Sequence, residues 1–198
     1  MLSVAGIGPG NPRYLTLDVK ERIENTKYIL GFGRVADSLK SIRDDITPVN
    51  KVDEILNYID GDKEILLLAS GDPNFFGIVD FLKKKKVEIK EVLPGLSSFQ
   101  YMMAKLEKPW QNARFLSLHG RTESLEKIKE NKLSIVLIDK DNTPSYISRE
   151  LYKLNIKGIM YTGFNLSYED EKIIKTNIGE EIEDVSSLGV VVIENEMD

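Results

Sequence analysis

The sequence has no cysteine and only one histidine, His119, among its 198 residues. Without thiols, the protein has no disulfides, no thiolate nucleophile, no thiolate zinc site and no cysteine-bound iron–sulfur cluster. A single histidine also excludes a metal site built from several histidines, and we expect no bound metal. The chemistry of this chain must therefore come from the oxygen and nitrogen groups of its side chains and backbone.

Long apolar runs and an excess of positive charge are lacking as well. No apolar run approaches the roughly 18 residues of a membrane span, and the N-terminus has the pattern of a strand rather than of a signal peptide. The net charge of −5 gives no overall attraction to nucleic acid. The run "KKKK" at residues 83–86 is interpreted as the solvated end of a helix. We expect a cytoplasmic protein that binds neither membrane nor nucleic acid and holds any anionic ligand with a few placed cations.

What the sequence does contain is an alternation of apolar strands and helical segments. Apolar runs at residues 27–30, 64–69 and 87–93 predict strands, and the helical periodicity between them is typical of a mostly parallel sheet covered by helices. After "LEKPWQNA" the pattern restarts and is richer in strand. Pro109 marks a hinge, so the sequence predicts two α/β domains, residues 1–109 and 110–198. In the second domain, strands are predicted at 114–118, 133–138, 158–162, 172–176 and 188–194, and helices at 124–130 and 143–154.

The first turn lies in "LSVAGIGPGNPRYLTLD", where a strand runs into three glycines before a helix predicted at residues 16–24. Several glycines allow a ligand to approach the backbone, although a glycine-rich turn without a ligand is the structural alternative. The spacing of Gly6, Gly8 and Gly10 brings the third glycine one residue too early for G-x-G-x-x-G, and "YILGFGRVAD" has no carboxylate where a ribose would need one. A nicotinamide dinucleotide site is therefore not expected.

Two further strands end in turns of the same kind. In "LLLASGDPNFFGI", a buried strand is followed by a turn containing Asp72 and by a helix predicted to include Phe75 and Phe76. In "EVLPGLSSFQ", a Pro-Gly turn leads to Ser97 and Ser98 at the start of a helix. Ligands of open α/β sheets bind at the carboxyl ends of strands, whereas the structural alternative for these polar side chains is helix capping.

A fourth stretch, "FLSLHGRT", delivers His119, Gly120 and Arg121 to the end of another strand. A lone histidine is more often structural than catalytic. Arg121, however, is suited to binding a carboxylate through two parallel hydrogen bonds. This turn is therefore a candidate for recognition of an anionic substrate.

Together these stretches resemble the tetrapyrrole methyltransferase family, whose members transfer methyl groups from S-adenosylmethionine to carbon atoms of corrin and sirohaem precursors. The resemblance is carried, in order, by "VAGIGPGNPRYLTL", "SGDPNFFGI", "LPGLSSFQ" and "NLSYEDEKI". Within the family, "LPGLSSFQYMMAKLEKPWQNARFLSLHGR" is most similar to members that methylate C5 of cobalt-precorrin-7. The resemblance implies two α/β domains with the cofactor in the cleft between them, usually in a homodimer.

The resemblance also implies a set of site residues. S-adenosylmethionine has no phosphate, so the glycines of the first turn would clear space for the cofactor or the macrocycle rather than cradle a phosphate. Asn11 departs from the family, which usually has an aspartate after this turn. Leu166 is expected to close the cofactor pocket from the second domain. The other cofactor-binding residues are expected to be Gly8, Pro9, Ser70, Gly71, Asp72, Phe75, Ser97 and Ser98.

The acceptor implied by the resemblance carries acetate and propionate groups, so arginines are expected to bind it. Arg121, Arg13 and Arg34 are the candidates in that order, together with His119, and no catalytic residue is identified. Alternatives are methylation of another ring carbon, an activity like diphthine synthesis, or a non-catalytic sensor of an adenosine ligand. The chain ends at Asp198 without room for a fused C15-methylating, decarboxylating activity, and a separate enzyme with that activity is a candidate partner.

Overall fold

The structure is a computed structural model that describes residues 1–59 and 63–197. Its contacts divide the chain into two compact units, Met1–Ser98 and Phe99–Asp198. In the described residues, each unit is an α/β arrangement on one five-stranded sheet. This confirms the predicted fold class, whereas the predicted domain boundary after Pro109 stays a prediction.

The first unit is a parallel sheet with helices packed against it. Its strands are β1 (Leu2–Gly6), β2 (Tyr28–Phe32), β3 (Thr47–Val49), β4 (Ile65–Ala69) and β5 (Ile89–Leu93), and its helices are α1 (Leu17–Asn25), α2 (Gly33–Ser38) and α3 (Ile78–Lys84). The strand order is β3-β2-β4-β1-β5, and every pairing is parallel. Central strand β4 is buried at all positions because both faces of the sheet are covered. Leu66 and Leu68 belong to one core and Leu67 to the other.

The ends of two helices follow the sequence signals. The side chain of Thr16 caps α1 by accepting a hydrogen bond from the backbone of Val19 (3.2 Å), and Val19 and Ile23 are buried beneath the helix. Lys83 and Lys84 form the last turn of α3, where cations interact favourably with the helix dipole. The predicted helix at residues 16–24 and the predicted helix end at residues 83–86 are both confirmed.

The first unit also differs from prediction at two places. Helix α3 begins at Ile78 rather than near Phe75, because Phe75 donates its N–H to the carbonyl of Asp72 and Phe76 has a positive φ of 51°. A residue with positive φ cannot continue a right-handed helix. Strand β3 was not predicted because it is short and contains Pro48, which is tolerated at the edge of a sheet. Helix α2 lies between the predicted strands β2 and β4, where helical periodicity was predicted without bounds.

The second unit is a mixed sheet with the order β6-β7-β10-β8-β9. Its strands are β6 (Arg114–Ser117), β7 (Leu133–Leu137), β8 (Gly158–Phe164), β9 (Lys172–Asn177) and β10 (Gly189–Asn195), and its helices are α4 (Ser98–Lys105), which starts at the last residue of the first unit, and α5 (Pro144–Lys153). All five strands predicted after Pro109 are present. Within this sheet, only β6 and β7 pair in parallel. Parallel neighbours need a crossover, usually a helix, that returns the chain to the same edge of the sheet, and the described residues 165–188 contain no helix.

The helices predicted in the second unit have different outcomes. The predicted helix at residues 143–154 is confirmed as α5, with Thr143 as its cap and Ile147 and Leu151 in the core. The helix predicted at residues 124–130 is wrong in type, because the chain forms only a 3₁₀ helix at Leu125–Ile128. Its two apolar residues are three apart, and this spacing places them on one side of a 3₁₀ helix.

Candidate functional site

Three turns meet at the carboxyl edge of the first sheet. They follow the adjacent strands β4, β1 and β5. The turns after β1 and β4 pair through their backbones. The N–H of Gly8 donates to the carbonyl of Gly71 (3.3 Å), and the N–H of Gly71 donates to the carbonyl of Gly8 (2.8 Å). The sequence placed each turn at a strand end, and the sheet order brings all three together.

Glycine is required where these turns touch. A Cβ on Gly6 would lie 2.5 Å from the carbonyl oxygen of Gly71 and 2.7 Å from the nitrogen of Gly95. A Cβ on Gly95 would lie 2.6 Å from the carbonyl oxygen of Gly6 and would also overlap that of Gly71. Gly6 therefore makes room for neighbouring backbone, which differs from the expectation that it clears space for a ligand. Gly71 is different, because it has a φ of 65° and a Cβ there would lie no closer than 3.8 Å to other atoms.

Asp72 joins the second turn to the third. One carboxylate oxygen accepts a hydrogen bond from the N–H of Asn74 (2.8 Å), and the other accepts from the N–H of Gly95 (3.3 Å). The alternative role of Asp72 as a helix cap is wrong, since α3 begins after Gly77 with no side-chain cap. Asp72 thus cross-links the turns that follow β4 and β5.

The remaining residues of the predicted cofactor set in this region differ in exposure. Gly8, Pro9 and Ser97 are buried, whereas Ser70 is exposed. Phe75 is half-buried and lies edge-on to Phe76, with ring centroids 4.8 Å apart. Ser98 is the first residue of α4, so Ser97 directly precedes the helix. These residues lie in or beside the three turns, and their role in binding stays a prediction.

Leu166 lies in a tight turn of the second unit, after β8. Asn165 and Ser167 on either side of it have positive φ values of 47° and 74°. The N–H of Ser167 donates to a carboxylate oxygen of Glu171 (2.7 Å), which helps to hold this conformation. Leu166 itself is buried and packs near Gly163, where an added Cβ would lie 2.7 Å from Leu166 Cδ2. Its predicted contact with a cofactor stays a prediction.

The turn containing His119, Gly120 and Arg121 follows β6, and all three residues are exposed. Gly120 has a φ of 62°, which favours glycine. Nδ1 of His119 lies 3.2 Å from the carbonyl oxygen of Ile138. The turn is therefore anchored to the neighbouring strand end and presents polar side chains at the surface.

Asp139 is a functional candidate that sequence reasoning missed. Its carboxylate accepts hydrogen bonds from the N–H groups of Gly120 (3.0 Å), Asp141 (3.0 Å) and Asn142 (2.8 Å), and also from Asn142 Nδ2 (3.0 Å). The bond from Gly120, followed by those from Asn142 and Asp141, outweighs partial burial and lowers the pKa of Asp139 from its ordinary 3.8 to about 2. The signal was a strand ending in "DKDNTP", the same strand-then-turn pattern as in the other stretches.

The other predicted arginines lie in the first unit. Arg13 is exposed in a 3₁₀ turn, where the Asn11 side chain accepts a hydrogen bond from its N–H (3.1 Å). Arg34 is exposed in α2. Neither is in the same unit as Arg121, and nothing in either unit assigns them to a binding site.

Within residues 1–59 and 63–197, no helix is both long and apolar enough to cross a membrane. The same residues contain no group of three or more acidic or histidine side chains that could hold a metal ion.

In α/β enzymes, small molecules bind at turns collected at the carboxyl edge of a parallel sheet. The fold and the three turns of this chain define it as an α/β enzyme of this class. Residues 1–181 match the sequence model of the family described as Tetrapyrrole (Corrin/Porphyrin) Methylases. The chain belongs to this family and is a methyltransferase by class. The resemblance stated from the motifs is confirmed.

Two relatives agree with this membership, and a solved structure shares the fold. A probable cobalt-precorrin-7 C(5)-methyltransferase of Methanocaldococcus jannaschii is 31% identical over 191 residues, which cover 87% of each chain. The cobalt-precorrin-7 C(5)-methyltransferase of Salmonella typhimurium is 30% identical over 179 residues, covering 87% of this chain and 89% of the relative. A uroporphyrin-III C-methyltransferase from Thermus thermophilus, complexed with S-adenosylhomocysteine, has the same fold with a TM-score of 0.79, 21% identity and coverage of 97% and 96%.

Proposed function

We propose that this methyltransferase transfers a methyl group from S-adenosylmethionine to C5 of cobalt-precorrin-7 in cobalamin biosynthesis. The observation that carries the proposal is the interlocking of three turns at one sheet edge. The assignment of C5 is supported by the two relatives of that name described above, which are matched over most of their length.

The residues of the three turns fit an adenosyl sulfonium ligand. Such a ligand carries an ammonium, a carboxylate and ribose hydroxyls but no phosphate, so it needs hydrogen-bond donors and acceptors rather than a phosphate cradle. The turns offer the carboxylate of Asp72, the buried hydroxyl of Ser97 and the open side of Gly71. Gly8 and Pro9 would form the wall on the first turn, and the aromatic ring of Phe75 would supply apolar surface.

Methyl transfer to carbon demands alignment more than reactive side chains. The new C–C bond would form with electrons of the conjugated macrocycle as the S–CH3 bond of the donor breaks and S-adenosylhomocysteine leaves, and loss of a ring proton or rearrangement of the ring would complete the step. The protein would therefore need to supply no nucleophile. Holding two reactants in line contributes up to about 7 to 11 kcal/mol in favourable cases. Turns fixed by backbone pairing, such as those at Gly8 and Gly71, suit this task because their geometry does not depend on mobile side chains.

The acceptor is a flat polyanion, and the turn at His119–Arg121 is proposed to bind it. Arg121 is the exposed cation of that turn. A Cβ added at Gly120 would meet no atom within 4 Å, so a large ligand can approach the turn there. A guanidinium binds a carboxylate through two parallel hydrogen bonds. Arg13 remains a weaker candidate for the same role, since it is exposed but lies in the other unit.

The setting of the enzyme is part of the proposal. We propose that it acts in the cytoplasm as a homodimer, as the family resemblance implies. A separate C15-methylating, decarboxylating enzyme is proposed as a partner.

The proposal is tested by incubating the purified protein with S-adenosylmethionine labelled in the methyl group and a panel of precorrins and cobalt-precorrins. Mass spectrometry and NMR of the product should show one labelled methyl at C5 of cobalt-precorrin-7. Methylation at another ring carbon would correct the position, and binding of S-adenosylhomocysteine without turnover on any corrinoid would favour a sensor. Binding of NADH but not of S-adenosylhomocysteine would overturn the proposal.

A further inference from the structure

Asn142 provides a second link between the His119–Arg121 turn and the loop after β7. Its Nδ2 donates to the carbonyl of Leu118 (3.2 Å) as well as to Asp139. The N–H of Leu118 in turn donates to the carbonyl of Leu137 (2.9 Å). Together with the bond from Gly120 to Asp139, these contacts connect the two loops along their length.

The same strand end also selects the tautomer of His119. A carbonyl oxygen only accepts hydrogen bonds, so Nδ1 of His119 carries the proton it donates to the carbonyl of Ile138. In the neutral ring, Nε2 is then left as the acceptor. Because Ile138 directly precedes Asp139, a change in the Asp139 loop would move both the turn and the partner of the imidazole.

We propose that Asp139, assisted by Asn142, is a positioning residue for acceptor recognition. It holds the turn of residues 119–121 in one conformation and keeps His119 in one tautomer, so that the turn is preformed for binding the carboxylate groups of the macrocycle. This inference rests on the proposed function for its ligand. The contacts themselves can be tested without any corrinoid.

The first measurement follows His119, whose imidazole signals are unambiguous because it is the only histidine. In the wild type, ¹⁵N NMR of the neutral ring should show the Nδ1–H tautomer. In Asp139→Asn, an amide has one acceptor oxygen and cannot serve both Gly120 and the N–H groups of residues 141 and 142. We expect the ring to become a mixture of tautomers and the amide proton of Gly120 to shift upfield.

The matched control is Glu180→Gln. Glu180 is also a carboxylate of the second unit that accepts from a backbone N–H, that of Asn177 (2.9 Å), and from the Asn177 side chain (2.8 Å). It makes the same kind of turn contact at a different place, so its loss should leave His119, Gly120 and all ligand affinities unchanged.

The second measurement compares ligands on the same variants by titration calorimetry. We expect Asp139→Asn to weaken cobalt-precorrin binding about tenfold and Asn142→Ala about threefold, with S-adenosylhomocysteine affinity unchanged. An altered His119 spectrum with unchanged corrinoid affinity would overturn the positioning role, as would equal loss for both ligands or an unaltered spectrum in Asp139→Asn. If the wild type binds no corrinoid at all, the proposed function fails and the acceptor role fails with it, whereas the spectra still decide whether Asp139 holds the turn.

Discussion

The turns of the first unit and the His119–Arg121 turn of the second unit are held by different means. In the first unit, backbone packs directly on backbone, with Gly8 and Gly71 paired and no room for a Cβ on Gly6, and the Asp72 carboxylate adds one link to Gly95. In the second unit, side chains hold the turn, since the Asp139 carboxylate accepts from the N–H of Gly120 and the Asn142 amide donates to the carbonyl of Leu118. Backbone packed as closely as at Gly6 and Gly95 is insensitive to pH but leaves no room for a Cβ, whereas a turn held by a carboxylate tolerates substitution around it but depends on charge. The variants below test this difference and follow in order of decreasing size of effect.

Gly95→Ala should have the largest effect, on folding. Its Cβ would lie 2.6 Å from the carbonyl oxygen of Gly6 and closer still to that of Gly71, so backbone must move. We expect a loss of about 3 kcal/mol in the free energy of unfolding, measured by urea denaturation. The control is Gly33→Ala, where an added Cβ meets nothing within 4 Å and alanine should be neutral or stabilise by up to about 1 kcal/mol. Equal stability of the two variants would show that the turns are not tightly interlocked.

Arg121→Ala should affect acceptor binding without affecting the donor. Loss of a hydrogen bond to a charged group costs about 1.5 to 3 kcal/mol, so cobalt-precorrin binding should weaken roughly 10- to 100-fold. Lysine at this position should recover only part of the affinity, because it keeps the charge but loses the planar fork. Titrations with cobalt-precorrin and S-adenosylhomocysteine provide the measurement.

The control for Arg121 is Arg149→Ala, which removes an exposed arginine from α5 in the same unit. It should leave both affinities unchanged. If Arg149→Ala weakens corrinoid binding as much as Arg121→Ala does, the effect comes from net charge, and Arg121 is not part of the acceptor site.

Asp72→Ala should show the opposite selectivity. The turns after β4 and β5 lose their carboxylate link, so S-adenosylhomocysteine should bind about tenfold more weakly, which corresponds to about 1.4 kcal/mol. Corrinoid affinity should change little, and stability should fall by about 1 kcal/mol. Asp18→Ala, which removes an exposed acid from α1, serves as the control. A loss of stability with unchanged donor affinity would leave Asp72 a purely structural role.

The acid dependence of the Asp139 clamp should be the smallest effect, because Asp139 is only partly buried and solvent screens its charge. Because the pKa is lowered from 3.8 to about 2 on folding, the contribution of Asp139 to stability is fully present above pH 3.8 and is lost as the pH falls to about 2. The difference in unfolding free energy between wild type and Asp139→Asn should therefore shrink through this window. Chemical denaturation at a series of pH values measures it, and a difference that does not depend on pH would show that charge is not what holds the turn.

Much of the fold could be predicted because its signals are local. The run Ile65–Ala69 is apolar throughout, as a strand covered on both faces must be, and the pair Thr143 and Pro144 marks the start of α5. The family resemblance was also readable, since its motifs are contiguous. By contrast, the start of α3 depended on the positive φ of Phe76, and residue type does not encode that conformation strongly.

Local patterns in the sequence were enough to locate the turns that follow strands and to show which of them carry glycine, aspartate or arginine. They did not determine what each group contacts. Gly6 requires glycine because β1 lies between β4 and β5, and Asp139 reaches Gly120, 19 residues earlier, because β6 and β7 are paired in parallel. These contacts join residues that are distant in the chain. Only the order of strands in the folded sheets brings them within hydrogen-bonding or steric range, and no local pattern specifies that order.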